Sequence, residues 1–537
     1  MELIVESSLA KIFPNRIYPG GFGGSLSLLK GERGALQAVL RSDRDEKTTL
    51  TVQKSDSLEL TVYEVKYIPS AFPDYDDRDD YVLENASPGL YPDLLIPSEG
   101  EANLKGGEYK AFWLEFSSHS PGDYIIRLCA GDETGEAKIS VLNIDAPKQT
   151  LKCTMWFHTD CLIDHYRLTF GSDGYFSCCE SYLREASKHG MNMALTPLFT
   201  PPLDTAVHGE RTTTQLVSVR TDGLGNYEFD FSLLERWIKM CLDCGIEYFE
   251  MSHLFTQWGA KAAPKIIAST PDGEKQLFGW RTRLYEGCEY EKFLCALAGP
   301  LIDFLKRLSI TDNCYFHVSD EPDRKGLDSY KLAKGIFDRA FRGRVRHFDA
   351  LVDVSLFREG FVDVPVPNVG STMDFSNEDC EKWTYYCCGQ YRDFLPNRFF
   401  CMPSLRSRIL GFIMYKYKIE GFLQWGLNFW NTRYSLRSVD PFSETDAGGE
   451  FPSGDSFVLY PGEAQTPLKS FRFSVFYDAV RDYEALKLLE TLAGREKCLE
   501  IIDPDSTLTF NNYPHDEKWL LSAREKINSA LLVYAAD

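Results

Sequence analysis

The sequence predicts a multidomain β plus α/β protein, an N-terminal β-sandwich followed by a (β/α)8 barrel that ends in C-terminal helices. Three observations carry this. Residues 1 to about 148 alternate polar and apolar side chains at period two. From about 150, short apolar runs alternate with helical patterns. The chain has 537 residues, more than one ordinary core of ~100–200 residues holds but suited to a sandwich plus a barrel.

The sandwich, residues 1–148, rests on runs 58–67 (LELTVYEVKY), 109–116 (YKAFWLEF) and 123–129 (DYIIRLC), with a turn at 131–135 before a last strand to Ile144. Short alternating strands between Gly and Asp turns indicate such a fold. Residues 145–149 (DAPKQ) are the linker. Residues 149–537 form the barrel and its helical extension. Eight runs are its candidate strands: 151–157, 191–197, 246–251, 314–319, 346–353, 361–369, 383–388 and 421–426. Helical patterns at 177–189, 231–244, 291–308 and 327–341 lie between them, and strand–helix alternation predicts parallel strands. Two more helices are expected near 470–492 and 515–535.

Composition narrows the function. A formal net charge of −21 disfavours nucleic acid and anionic membrane as partners, because phosphate binding needs clustered Lys and Arg. No run reaches the ~18 apolar residues of a membrane span. The start of the chain has no basic n-region or apolar stretch, and the odd cysteine count of 15 fits a reduced compartment, so a cytoplasmic location is expected. Cys241 and Cys244 have CxxC spacing, but no second CxxC or His pair accompanies them, so neither a metal nor a cofactor is called for. Aromatics at 14% suit both a large core and a sugar cleft.

In (β/α)8 barrels the chemistry sits at the C-terminal ends of the strands. The polar residues there are His158 and Asp160, Glu250 and His253, Asp320 and Glu321, Tyr385 and Tyr386, and Trp425 and Asn428. The fourth run is the most informative. An apolar strand leads into Ser319-Asp320-Glu321-Pro322, where proline stops the strand and biases Glu321 towards an extended backbone. Glycosidases usually flank the scissile bond with two carboxyl groups ~5–9.5 Å apart. Two neighbours on one strand end are poorly placed for that. They suit substrate-assisted hydrolysis, in which the sugar's own 2-acetamido group attacks, one acid serves as general acid/base and the other orients the acetamido group. The bland alternative is that one acid caps the helix starting near Leu327, or pairs with Arg324.

Residues 319–322 resemble the catalytic motif of glycoside hydrolase family 123, the β-N-acetylgalactosaminidases, shared with the wider DUF4091 group. Residues 156–161 (WFHTDC), 383–388 (WTYYCC) with Pro396-Asn397, 408–412 (RILGF), 421–430 (GFLQWGLNFW), 459–462 (LYPG) and 481–484 (RDYE) resemble further family segments in order. The resemblance spans about 153–490. It departs at 476–480 (FYDAV), where the family has a basic residue and a glycine, and over 440–456. It implies a retaining exo-hexosaminidase that releases terminal β-linked GalNAc from glycans through an oxazolinium intermediate. Glu321 would be the acid/base and Asp320 would position the acetamido group. Tyr386, ahead of Tyr385, would donate to the acetamido oxygen. Trp383, Trp425 and Trp430 would wall the sugar. His158, Asp160 and Asn428, and more weakly Glu250 and His253, would bind hydroxyls. Core packing is the competing role for each of these. GlcNAc specificity, another sugar, or a non-catalytic glycan-binding protein on the same fold stand as alternatives.

Overall fold

The computed structural model describes residues 1–16, 22–83 and 86–535. Two sheets form the N-terminal sandwich. The five-stranded sheet runs Glu2–Ser7, Arg33–Arg41, Tyr109–Ser117, Glu59–Ser70, Gly89–Pro97 in spatial order, and the four-stranded sheet runs Ser25–Lys30, Glu133–Asp145, Gly122–Ala130, Thr51–Gln53. Leu36, Phe112, Leu114, Ile126 and Ile139 fill the space between them.

The strand Tyr109–Ser117 explains why its sequence has almost no polar face. Phe112, Leu114 and Phe116 point into the sandwich. Ala111 and Trp113 point the other way, into the core shared with the barrel domain. A strand covered on both faces reads as a near-continuous apolar run. Trp113 packs edge-on against Phe471 at 5.0 Å. Polar ties reinforce this seam: Arg472 pairs with Asp93 at 2.7 Å, and Arg524 bridges Glu32 of the sandwich and Asp482 of the last helices at 2.7 and 2.9 Å. Arg408 joins the same buried array through Asp482 at 2.8 Å.

Each of the eight predicted runs contains a parallel barrel strand: β1 (Lys152–Met155), β2 (Met193–Thr196), β3 (Tyr248–Met251), β4 (Cys314–Phe316), β5 (Arg346–Ala350), β6 (Val364–Val366), β7 (Trp383–Tyr385) and β8 (Gly421–Gln424). They neighbour one another in sequence order, with β8 beside β1. A parallel bridge between Asn368 and Tyr385 closes the ring between β6 and β7. Helices Asp173–Lys188, Ser232–Asp243, Glu289–Arg307 and Leu327–Phe341 occupy the four expected helical stretches, and Phe471–Ala493 and Glu517–Tyr534 the two C-terminal ones.

One element went unforeseen. The segments after β2 and β3 build a four-stranded sheet from Ser218–Thr221, Tyr227–Asp230, Ile266–Thr270 and Gly273–Phe278. Its strands are only four to six residues long, too short for periodicity to mark them.

Candidate active site

At the barrel mouth lies a cavity of about 250 Å³. Asp320, Glu321, Tyr385 and Trp425 line it, together with Trp156, Asp204, Gln257 and Arg433. The two acids reach it from a segment that differs from the sequence expectation. β4 ends at Phe316, five residues before Glu321, and Glu321 has φ = 45° instead of an extended backbone. The chain has already turned out of the sheet, so proline's extended bias is overridden by tertiary contacts. Ser319 fixes the turn: its N–H donates to Asp349 at 3.2 Å and its hydroxyl to the Thr256 carbonyl at 2.8 Å.

The acids face different walls. Gln257 Nε2 donates to Asp320 Oδ2 at 2.6 Å. The Tyr385 hydroxyl donates to Glu321 Oε1. Burial, and then the charge of Glu321, push the Asp320 carboxyl well above the usual carboxylate range. Burial and the same neighbouring charge push the Tyr385 phenol up, so it stays a donor. Neither acid serves the bland alternative. Arg324 pairs with Asp353 and Glu359, and the helix Leu327–Phe341 starts at Gly326 without a side-chain cap.

Tyr385, not Tyr386, faces the mouth, which reverses the preference drawn from sequence. Side chains alternate along β7, so only one of the two can point inward. Tyr386 points out and packs at 5.0 Å against Phe422, which in turn packs on Phe476 of the C-terminal helix. Trp383 points inward but at the closed end of the barrel. It packs on Phe348 and donates to Glu381 at 3.0 Å, which also takes Lys152 at 2.8 Å. It therefore plugs the barrel floor and walls no sugar. Trp430 lies outside the barrel against Tyr182 and His165, with Nε1 donating to the Leu459 carbonyl at 3.1 Å. Trp425 does face the cavity, its Nε1 fixed by Asp455 at 2.9 Å.

His158, Asp160 and Asn428 stand behind the wall as a support. Asn428 clamps the His158 backbone through both its amide groups, at 2.9 and 3.0 Å. Arg211 donates to both oxygens of Asp160 at 2.7 Å and to His158 Nδ1 at 3.1 Å. An acceptor Nδ1 leaves Nε2–H to donate to the Trp425 carbonyl at 2.8 Å, the neutral tautomer. Burial and the charge of Arg211 agree with it, lowering His158 to about 3. Arg211 also holds the Leu203 carbonyl at 2.9 Å, and so anchors the loop that brings Asp204 into the cavity.

Glu250 and His253 lie inside the barrel beneath the acids. Glu250 accepts from Thr154 at 2.7 Å, from Trp156 Nε1 at 2.5 Å and from His317 at 2.7 Å. His317 reaches Asp349 on its other side at 3.0 Å, and His253 stacks on it at 3.9 Å. Burial alone would lower His317, but its bonds to Asp349 and Glu250 outweigh burial and raise it to about 9. A buried imidazolium between two carboxylates thus underlies the acid pair.

Sequence reading missed Gln257, Asp204, Arg211, Arg433 and Asp455. Four come from irregular loops and Arg433 from a three-residue 3-10 turn, none with a period to mark it. His317 was within reach, since it precedes Asp320 by three residues in a run called as a strand.

This arrangement can deliver a proton from Glu321 and hold a polar substituent at Asp320 in a small, aromatic-walled cavity. Residues 156–489 match the family model of the glycoside hydrolase 123 catalytic domain. No curated protein matches the sequence. A solved family 123 glycoside hydrolase from Clostridium perfringens, studied for glycolipid glycan hydrolysis, is similar over 99% of both chains, with 14% identity and a TM-score of 0.75. Clostridium thermocellum endo-1,4-beta-D-xylanase 10B, in its CBM22-1–GH10 modules, aligns over 89% of this chain and 93% of its own, with 9% identity and a TM-score of 0.33. A family 2 member from Bacteroides cellulosilyticus covers 84% of this chain and 48% of its own, with 11% identity and a TM-score of 0.26.

Proposed function

This chain belongs to glycoside hydrolase family 123 and hydrolyses glycans, and from that premise we propose that it is a retaining exo-β-N-acetylgalactosaminidase working through the substrate's own acetamido group. The observation that carries the proposal is the placement of two successive acids in one small cavity. Glu321 protonates the leaving oxygen. Asp320 accepts the acetamido N–H and balances the charge of the oxazolinium ring as the acetamido oxygen closes on the anomeric carbon. Tyr385 leaves Glu321 when substrate enters and donates to the acetamido oxygen, holding it for attack. Glu321, now a carboxylate, then takes a proton from water, which opens the ring from the face the leaving group left. Two inversions give net retention.

The raised Asp320 favours this division of work. In the empty site burial and the charge of Glu321 favour a proton on Asp320. Passing that proton to Glu321 as substrate enters leaves Asp320 a carboxylate to accept the acetamido N–H and balance the oxazolinium charge, and gives Glu321 the proton it delivers to the leaving oxygen. Asp204 is another carboxylate in the cavity. Its Oδ2 accepts the Tyr434 N–H at 3.0 Å, which suits an acceptor for a sugar hydroxyl and not a nucleophile. A volume of about 250 Å³ favours one terminal pyranose, hence exo action.

A sugar thiazoline that mimics the bicyclic intermediate tests the mechanism, because transition-state and intermediate mimics bind ~10²–10⁸-fold tighter than substrate. GalNAc-thiazoline is expected to inhibit at far lower concentration than substrate saturates. If it binds no better than GalNAc itself, a protein nucleophile such as Asp204 replaces the acetamido group. Paired aryl β-GalNAc and β-GlcNAc substrates read the sugar, with faster turnover expected on GalNAc. Localisation in the cytoplasm is proposed with the same reading.

A further inference from the structure

The four-stranded sheet unforeseen in the sequence leans over a second cleft, about 720 Å³, larger than the catalytic cavity. Its floor and rim come from the 200–211 loop, the 263–265 segment and residues 276–290. The two concavities share a wall. Leu203 and Asp204 face the catalytic cavity, and Thr205 and Arg211 face the cleft.

Its chemistry is unlike the rest of the molecule. On a chain of net charge −21, the cleft gathers Arg281, Arg283, Lys265 and His208 against Glu210 and Glu289. Both acids are occupied, Glu210 by Lys265 at 3.2 Å and Glu289 by Lys292 at 2.5 Å. Arg281 and Arg283 are exposed, and among the described residues no carboxylate pairs with either. The tip carrying them is fixed: Gly279 N–H donates to the Thr282 hydroxyl and Thr282 N–H to the Gly279 carbonyl, both at 2.9 Å. The same tip holds Trp280, half-buried, and Tyr285 is 58% exposed at the rim. Two free guanidiniums beside two partly bared rings match a ligand with an anionic group on a flat, partly apolar ring. Arg binds such oxyanions bidentately, and half-exposed aromatics supply contact area at low entropic cost.

We propose that this cleft binds an acidic sugar residue, carrying its charge as sulfate ester or carboxylate, at a site separate from the catalytic cavity. The proposal rests on the family's glycan chemistry and not on the GalNAc reading. It gives the enzyme a hold on an acidic glycan chain that a one-sugar cavity cannot supply.

Isothermal titration calorimetry of the full chain tests it with three probes: a chondroitin 4-sulfate tetrasaccharide, its desulfated counterpart, which keeps only carboxylates, and neutral chitotetraose. At least one acidic probe is expected to bind ~10-fold or more tighter than the neutral one, and to weaken with salt, since ion pairs are screened. Whether desulfation removes the binding tells sulfate from carboxylate. The double variant R281Q/R283Q is expected to lose that preference while its hydrolysis of an aryl β-GalNAc substrate is unchanged. Equal binding of all three probes, no binding at all, or a variant that keeps the preference would overturn the site. Loss of aryl hydrolysis in the wild type would instead sink the GalNAc reading and leave this one standing.

Discussion

The imidazolium beneath the acid pair gives the sharpest stability test. His317 is buried between Glu250 and Asp349 at 2.7 and 3.0 Å, and its folded state holds a proton to about pH 9 against 6.5 for a free imidazole. At about 1.4 kcal/mol per pH unit, that difference stabilises the fold by about 3.5 kcal/mol. Because the folded value is the higher one, the stabilisation is complete below pH 6.5, declines as pH rises towards 9, and is gone above it. In a chain of 537 residues roughly 1 °C of melting midpoint accompanies each kcal/mol, so the share due to His317 is about 3 °C. His317→Gln removes the titration and leaves two buried carboxylates against a neutral amide, lowering the midpoint at pH 6 by the cost of a broken buried pair, about 3–5 kcal/mol. Scanning calorimetry of both proteins from pH 6 to 9.5 reads the outcome. Lys, Tyr and Cys titrations are common to both, so the wild-type-minus-variant gap is the signal. It should narrow steadily across the window. A gap that stays constant from pH 6 to 9.5 refutes the buried imidazolium.

The remaining predictions concern the acids and the seam. Glu321→Gln should lower kcat/KM on a substrate with an unactivated leaving group ~10²–10⁴-fold, and a near-wild-type variant would remove it as acid/base. Tyr385→Phe deletes a hydrogen bond to a charged group, worth about 1.5–3 kcal/mol, and should cost about 10–150-fold in turnover. Tyr386→Phe, outside the mouth, should leave turnover unchanged, and the reverse ranking would return the donor role to Tyr386. Arg472→Met strands the Asp93 carboxylate, which is 0% exposed, and should destabilise the fold by about 3–5 kcal/mol. An unmoved denaturation midpoint would show that the sandwich and barrel do not depend on that pair.

The barrel was legible because its strands are buried and evenly spaced by helices. Val364–Val366 and Arg346–Ala350 were weak as isolated runs, yet the alternation around them located both. The acid pair was legible because it interrupts an apolar strand. What sequence could not supply was register and loop reach. Period two states that Tyr385 and Tyr386 face opposite ways, but not which way is in, since that depends on how β7 is staggered against β8. Trp383 and Trp425 look alike as strand aromatics, yet one lies at the floor and one at the mouth, a distinction set by position along the barrel axis. His158 and Asp160 were found by the strand-end rule and then turned out to act one layer back, because Arg211, from an unpatterned loop, occupies them. Gln257 and Asp204 carry no local signal, as loop residues positioned only by the scaffold seldom do.

The adjacency of the acids depends on the strain at Glu321. In an extended strand, successive side chains point to opposite faces, so Asp320 and Glu321 on a continued β4 would put one acid in the cavity and the other behind the wall. A left-handed residue costs roughly 1–2 kcal/mol without glycine, and Pro322 narrows its neighbour's choices further. The contacts around the turn offset that cost: Ser319 to Asp349 and Thr256, Gln257 to Asp320 and Tyr385 to Glu321. The turn is what lets one segment deliver both carboxyls to a single cavity, Asp320 towards the β3 side and Glu321 towards β7. A glycosidase with a protein nucleophile draws its two acids from different strands and needs no such turn. The φ of 45° at Glu321, formed against the extended bias of Pro322, is therefore a backbone counterpart of the substrate-assisted reading.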